Sequence, residues 1–153
     1  MIAVVSALLP HIDEHALELA AGPDAVWPAL CDVVGASFAG PARSAGARVL
    51  GCSQWRTEGR IGEAGATLPG FRVAEASPPT RLALEGRHRF SRYALIFHLD
   101  ELGSGRTRLR AETRAVFPGL AGRAYRAMVI GTGGHVVVVR RILRAVGRRA
   151  ERR

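Results

Sequence analysis

Four polar residues fall among apolar residues at strand or helix spacing: His88, Tyr93, Thr113 and His135. A histidine titrates near neutral pH, so His88 or His135 could act as a general acid or base. The Tyr93 phenol could donate a hydrogen bond to a ligand carbonyl and polarise it for enolisation or aldol closure. The candidate catalytic residues are therefore His88, Tyr93 and His135. The alternative is a filled core in which these groups satisfy each other or water, and the sequence leaves turnover open.

Three segments between residues 82 and 117 alternate apolar and polar side chains at the two-residue period of half-buried strands. Pairing Phe90 with Tyr93, and Leu99 with Thr107, puts the apolar members of this antiparallel meander on one face. The predicted outer face carries Glu85, Arg87, Arg89, His98, Asp100, Arg108, Arg110, Glu112 and Arg114. Its mixed signs predict exposed ion pairs, each worth about 0–1 kcal/mol. Because this face has no interleaved aromatic residue, nucleic-acid binding there is not favoured.

Helices flank the predicted sheet. Residues 11–20 are expected to form a first strand, and Gly22-Pro23-Asp24 then gives a helix start. Pro28 predicts either a kink in this helix or a start at Trp27. A second short helix is expected over 42–50.

A long terminal helix is predicted over residues 120–152. Its apolar stripe runs through Leu120, Ala124, Met128, Gly131, His135, Val138 and Ile142. Each of Gly131, Gly133 and Gly134 costs up to about 1 kcal/mol relative to alanine inside a helix. These glycines predict a kink or a close approach of helix to sheet.

Length and composition indicate one folded domain. The chain has 153 residues, 48% of them hydrophobic and 23% charged, as in ordinary globular domains. No apolar run reaches the roughly 20 residues of a membrane span. The apolar opening MIAVVSALL lacks a basic n-region, which favours a cytoplasmic protein over a secreted one. Residues 1–10 are expected to be a flexible N-terminal extension.

Several kinds of chemistry have no residues to carry them. The chain contains no lysine, which excludes Schiff-base formation and a phosphate-loop lysine. Cys31 and Cys52 form no CxxC pair, and His11 and His15 match no zinc spacing, so no metal site is predicted. A GxSxG nucleophile elbow is also missing from the sequence.

The net charge of +9 is concentrated at the C-terminal end. Residues 140–153 hold seven arginines and one glutamate. One interpretation is a contact for nucleic acid, an acidic membrane or a protein partner. The other is a solvated helix face whose cations complement the negative end of the helix dipole.

The order of strand, helices, antiparallel strands and long terminal helix resembles the helix-grip arrangement. The stretches that carry the resemblance are AGPDAVWPAL, GFRVAEASPPTRLALEGRHRFSRYALIFHLDE and RTRLRAETRAVFPGLAGRAYRAMVIGTGGH. They are similar to a bacterial branch of the SRPBCC superfamily, which includes START-like lipid carriers and polyketide cyclases. The resemblance implies one α+β domain over residues 1–153, with a curved antiparallel sheet wrapped around the terminal helix. It specifies the fold and leaves the activity open, because this fold hosts carriers, cyclases and regulators.

Sheet and helix together predict an internal cavity for a small hydrophobic or aromatic molecule, since apolar walls with a few polar groups are typical of such sites. The predicted ligand contacts are Leu84, His88, Phe90, Tyr93, Leu95, Phe97, Leu109, Thr113, Phe117, Met128 and His135. No cofactor is predicted. Should the protein be an enzyme, polyketide cyclase or dehydratase chemistry is favoured. The alternative is a non-enzymatic adaptor acting through the arginine-rich helix end. The sequence does not specify an oligomeric state.

Overall fold

A computed structural model describes residues 3–152, the first three of them by their backbone alone. The elements in chain order are α1 (Ala3–Leu8), β1 (His11–Leu19), α2 (Pro23–Phe38), α3 (Pro41–Leu50), β2 (Thr67–Leu68), β3 (Phe71–Ser77), β4 (Arg81–His88), β5 (Ser91–Gly103), β6 (Arg106–Val116), α4 (Gly119–Arg126) and α5 (Gly134–Glu151). A short π-helical turn, Ala127–Gly131, follows α4. The α+β class, the antiparallel sheet and the long terminal helix predicted from the sequence are confirmed.

The six strands form one antiparallel sheet in the order β1-β6-β5-β4-β3-β2. The two predicted strand pairs are wrong in register. Tyr93 lies opposite Gly86 instead of Phe90, and Leu99 lies opposite Leu109 instead of Thr107. Both shifts are even numbers of residues, so every side chain stays on its predicted face. The inward alternation is therefore correct although the turns lie at other positions along the chain than predicted.

Helix α2 begins at Pro23, with Gly22 as its N-cap. Proline is favoured at a first helical position, where its missing N–H has no partner to lose. Pro28 lies within the helix, so the alternative start at Trp27 is wrong. Val26, Leu30 and Val34 are fully buried against the sheet and α5.

The predicted helix over 120–152 is broken in two. Gly133 has a φ of 77°, which α-helical residues do not adopt, and α5 starts after it. The predicted kink is thus confirmed, but the close approach of the helix to the sheet occurs at a different glycine. A Cβ on Gly147 would lie 2.9 Å from Leu19 Cδ2, whereas one on Gly131 would meet open space. The prediction that Leu120 belongs to the apolar stripe facing the core is wrong, because this residue is 82% exposed.

The core fills the space between the sheet, α2 and α5. Its largest fully buried side chains are Phe97, Leu19, Leu30, Leu68, Leu82, Leu84, Leu109, Val26, Val34, Val73 and Val139. Leu9 packs on the outer face of the sheet, over the small apolar cluster of Ala83, Ala94 and Ile96. Residues 1 and 2 of the predicted N-terminal extension lie outside the described residues, and most of the remainder forms α1.

The rest of the outer face carries ion pairs. Arg106 and Arg108 bind the Glu18 carboxylate with N–O distances of 2.7 and 2.9 Å. Arg110 bridges Glu14 and Asp100 across three strands. Among residues 3–152, no helix is long and apolar enough to span a membrane.

Candidate functional site

A cavity of about 630 Å³ lies between the inner face of the sheet and the helices. Its walls come from α3, from the inward side of β4, β5 and β6, and from the segment that joins α4 to α5. The lining residues are mostly aliphatic and aromatic. Its size and character match those of small-molecule sites, which are concave, mainly apolar and about 300–1,000 Å³ in volume.

One end of the cavity is closed by aromatic rings. The Tyr125 ring centroid lies 4.7 Å from that of His88 and 5.6 Å from that of Phe90. Tyr93 stands 5.5 Å from His88 on its other side and 5.3 Å from Phe71. Edge-to-face and offset contacts at these distances stabilise ring clusters beyond the area they bury. The cluster gives the cavity a flat aromatic wall.

His88 is held in its neutral form. Its Nδ1 accepts a hydrogen bond from the backbone N–H of Phe90 at 3.1 Å, which leaves the ring proton on Nε2. Burial lowers the pKa of His88, because the charged imidazolium loses hydration among the surrounding rings. His88 is therefore suited to donate a hydrogen bond from Nε2 near neutral pH.

The Tyr93 hydroxyl is already engaged. It donates a hydrogen bond of 2.5 Å to the carbonyl oxygen of Gly70. Burial and the nearby Cys52 thiol raise the pKa of Tyr93 well above its usual range. The ring needs the space left by Gly86, where a Cβ would lie 2.5 Å from it. The Tyr93 hydroxyl thus links β5 to the loop before β3. Its ring lines the cavity, while its hydroxyl proton is used in the hydrogen bond to the backbone.

A polar cluster lies at the opposite wall. His135, in the first turn of α5, contacts Thr113 Oγ1 through Nε2 at 2.9 Å. The same nitrogen lies 3.5 Å from Asp13 Oδ1. The other Asp13 oxygen is 3.1 Å from His15 Nε2. Asp13 Oδ1 is buried and has no hydrogen bond among the described residues, so the carboxylate is available to a protonated His135.

Seven predicted ligand contacts line the cavity: His88, Tyr93, Leu95, Thr113, Phe117, Met128 and His135. Leu84, Phe97 and Leu109 are placed elsewhere, in the filled core where α2 and α5 cover the sheet. Phe90 lies just past the end of β4, where it stacks on Tyr125 of the aromatic wall without lining the cavity itself. The sequence pattern identified the correct face, but it did not show where along the strands the helices leave a gap.

Other residues of the site were not predicted from the sequence. Tyr125 and Cys52 both line the cavity, yet neither follows the strand alternation that identified the other residues. Asp13 lies on the same face of β1 as His15, so the inward alternation of that strand could have found it. The short helix expected over 42–50 is present as α3, but its place in the cavity wall, with Arg43, was not predicted. Among the described residues, no His, Cys, Asp or Glu group could hold a metal ion.

Solved structures with this architecture cover nearly the whole chain. The Zhui aromatase/cyclase from Streptomyces sp. R1128 superposes with a TM-score of 0.60 at 20% identity, over 95% of each chain. A conserved protein from Geobacillus kaustophilus gives a TM-score of 0.56 at 17% identity, over 91% of this chain and 94% of that one. Truncated norcoclaurine synthase from Thalictrum flavum gives 0.56 at 13% identity, over the same shares.

The chain has the helix-grip fold. The resemblance to the SRPBCC superfamily is confirmed at the level of the fold. No protein-family profile and no curated protein matches the sequence. In this helix-grip protein α5 packs into the core through Val139, Ile142 and Val146. The cavity opens where the chain kinks before α5.

Proposed function

We propose that this protein binds one small hydrophobic or aromatic molecule in the cavity between sheet and helices. The observation that carries the proposal is a concave, mainly apolar space of about 630 Å³ between the sheet and the helices. Well-packed cores hold few voids larger than a water molecule, so a space of this size indicates a site for a ligand. Solved structures of similar fold include an aromatase/cyclase and a norcoclaurine synthase, which supports a ligand-binding role in general terms.

The wall composition supports an aromatic or polycyclic ligand. Tyr125, Phe117 and His88 give flat surfaces against which a ring can stack. Polar groups are few: the neutral His88 at one end, the His135 cluster at the other, and Arg43 and Ser91 elsewhere on the lining. A ligand with one carbonyl or hydroxyl at each end would satisfy both ends of the cavity.

Native mass spectrometry of the purified protein tests this proposal first. The native mass is compared with the denatured mass, and an organic extract is analysed for the released molecule. An excess native mass that disappears on denaturation supports the proposal. If the protein carries nothing, thermal unfolding with 1-naphthol follows; a ligand at one hundred times its Kd stabilises by about 2.7 kcal/mol. Absence of any shift up to the solubility limit of 1-naphthol contradicts the proposal.

A second proposal concerns catalysis of the cyclase or dehydratase type. It rests on His135, which lines the cavity and whose Nε2 lies 3.5 Å from the Asp13 carboxylate. With the proton on Nε2 directed at Asp13 and Thr113, the lone pair on Nδ1 can accept a proton from a carbon next to a carbonyl. The Asp13 carboxylate then stabilises the imidazolium that forms. His88 Nε2–H is suited to donate to the developing enolate oxygen.

Proton exchange in a simple ketone tests this chemistry without the natural substrate. Phenylacetone in D₂O exchanges its α-protons for deuterium when a base removes them, and NMR follows the loss of the proton signal. We expect the wild-type protein to accelerate exchange, and His135→Gln to remove most of the acceleration. Asp13→Asn should reduce the rate about 10–100-fold while 1-naphthol binding persists, since a general base contributes about 10²–10⁴-fold. Equal rates with and without protein contradict the catalytic proposal and leave the binding proposal standing.

A further inference from the structure

Large apolar side chains are exposed on the segments that frame the cavity. These segments are α3 and the stretch from α4 to the first turns of α5. They carry five of the eight most exposed large apolar residues: Val49, Leu120, Met128, Val137 and Val138. Met128 and Val138 line the cavity and are exposed at the same time. The apolar lining therefore continues outwards onto the surface, which is the pattern of an interaction site. We call these five residues the rim.

The chain segments that carry the rim have charges of a single sign. Residues 117–150 contain seven arginines and no carboxylate, and residues 33–57 contain three arginines and no carboxylate. Within residues 3–152, Arg149 is the only one of these ten with an ion pair, to Asp32. The arginines are Arg43, Arg48, Arg56, Arg123, Arg126, Arg140, Arg141, Arg144, Arg148 and Arg149. On the outer sheet face, by contrast, Arg106, Arg108 and Arg110 are all paired with carboxylates.

We infer that the rim docks on the surface of an anionic lipid bilayer. Apolar side chains flanked by unpaired arginines are suited to the boundary between acyl chains and headgroups. Each cation near an anionic leaflet adds attraction, and a guanidinium pairs with phosphate through two parallel hydrogen bonds. Aliphatic rim residues such as Leu120 and Val137 would gain nothing from a nucleic-acid backbone, which favours lipid over nucleic acid. The inference goes beyond ligand binding, because docking does not require an occupied cavity.

Flotation with lipid vesicles tests the inference. We expect the protein to float with phosphatidylcholine vesicles containing 30% phosphatidylglycerol, and to partition at least tenfold more weakly onto pure phosphatidylcholine. Raising NaCl from 0.05 to 0.5 M should also weaken binding by at least tenfold, because exposed charges are screened. Binding that is independent of phosphatidylglycerol content overturns the inference.

Two pairs of substitutions separate the rim from general charge and hydrophobicity. Arg123→Gln with Arg126→Gln should lower partitioning at least tenfold, since each cation near the surface contributes about fivefold. Arg106→Gln with Arg108→Gln removes the same charge from the sheet face and should change partitioning less than twofold. Leu120→Ser with Val137→Ser should lower it at least fivefold, whereas Leu8→Ser, an equally exposed apolar residue on α1, should not.

Other results assign the surface differently. Equal loss in both arginine pairs means attraction by net charge alone, and overturns a specific docking face. No binding to vesicles, together with salt-sensitive binding to duplex DNA, overturns the inference in favour of nucleic acid. Binding of 1-naphthol is measured on the same variants without vesicles. The residues substituted in the arginine pair and in the apolar pair do not line the cavity. Loss of vesicle binding with 1-naphthol binding retained therefore concerns the rim and not the proposed function.

Discussion

His88 combines a backbone hydrogen bond with an aromatic surrounding, and both favour the uncharged imidazole. Its pKa is lowered by burial, whereas in the unfolded chain it titrates near 6.5. Between these two values the unfolded chain binds more protons than the folded one. The free energy of unfolding therefore rises with pH in that window and falls as pH drops below about 6.5.

The His88→Gln variant tests this linkage. We expect wild-type stability to fall between pH 6.5 and 5 in urea unfolding, and the slope to be smaller in His88→Gln. His11→Gln removes the half-exposed histidine that contacts Glu112 and shows how much of the slope a histidine outside the cavity contributes. Carboxylates with lowered pKa values, such as Glu112, lose their contribution at more acidic pH and do not confuse the comparison. Identical slopes in all three proteins would show that His88 is not held neutral.

Tyr93→Phe separates the ring from the hydroxyl. Because the hydroxyl donates to Gly70, its loss leaves that buried carbonyl without a donor, and we expect about 1–2 kcal/mol less stability in urea unfolding. The ring remains in the wall, so the Kd for 1-naphthol should change less than about threefold. A loss of affinity beyond tenfold would show instead that the hydroxyl serves the ligand, as the sequence analysis proposed.

For individual residues, the sequence predicted which side chains face inwards better than it predicted their hydrogen-bond and ion-pair partners. Alternation along the strands placed His88, Tyr93 and Thr113 on the inner face. It did not show that the hydroxyl of Tyr93 meets Gly70 or that Asp13 stands behind His135, because these contacts join segments 23 and 122 residues apart. Such pairings depend on register and on a kink, and neither is specified by local pattern.

Strand β6 shows how the elements divide filled core from cavity. Ala111 and Ala115 lie on the same face of this strand, and both are buried. Ala111 belongs to the core that α5 covers, opposite Phe97. Ala115 lines the cavity, beyond the first residue of α5, Gly134, where the helix no longer covers the sheet. Ala111 therefore faces the filled core, whereas Ala115 faces the open cavity.

Substitution of each alanine by phenylalanine should separate these environments. We expect Ala115→Phe to retain stability within about 1 kcal/mol, because the new ring enters the cavity. Ala111→Phe should cost about 3 kcal/mol or more, since overpacking a filled core displaces its neighbours. Urea unfolding measures both. Equal losses would indicate that the space beside Ala115 is closed in solution.

The elements themselves were largely predictable. The first strand, the helix start at Pro23 and the three-strand meander follow from periodicity and from turn residues that act locally. The break at Gly133 was expected from glycine content, but its consequence was not. Because the chain kinks there, Leu120 points to solvent and the Met128 segment becomes the edge of the cavity.

On the scale of the whole molecule, charge and apolar surface are separated. The outer sheet face has paired charges, and the helical side around the cavity has arginines without carboxylates. The sequence located the C-terminal arginines but not their position relative to the cavity, since α3 and the first turns of α5 come to line one cavity only in the folded chain. The volume of the cavity was equally beyond the sequence, because it depends on how far two helices stand from one sheet.

The central claim, that the cavity holds a small apolar molecule, is tested most directly by fluorescence titration with N-phenyl-1-naphthylamine, a neutral aromatic probe. We predict saturable binding of one probe per chain, with a Kd that changes less than twofold between 0.05 and 0.5 M NaCl. Ala115→Phe, folded but with part of the cavity filled, should bind at least tenfold more weakly. Equal affinity of the wild-type and Ala115→Phe proteins, or no saturable binding to either, would contradict the account.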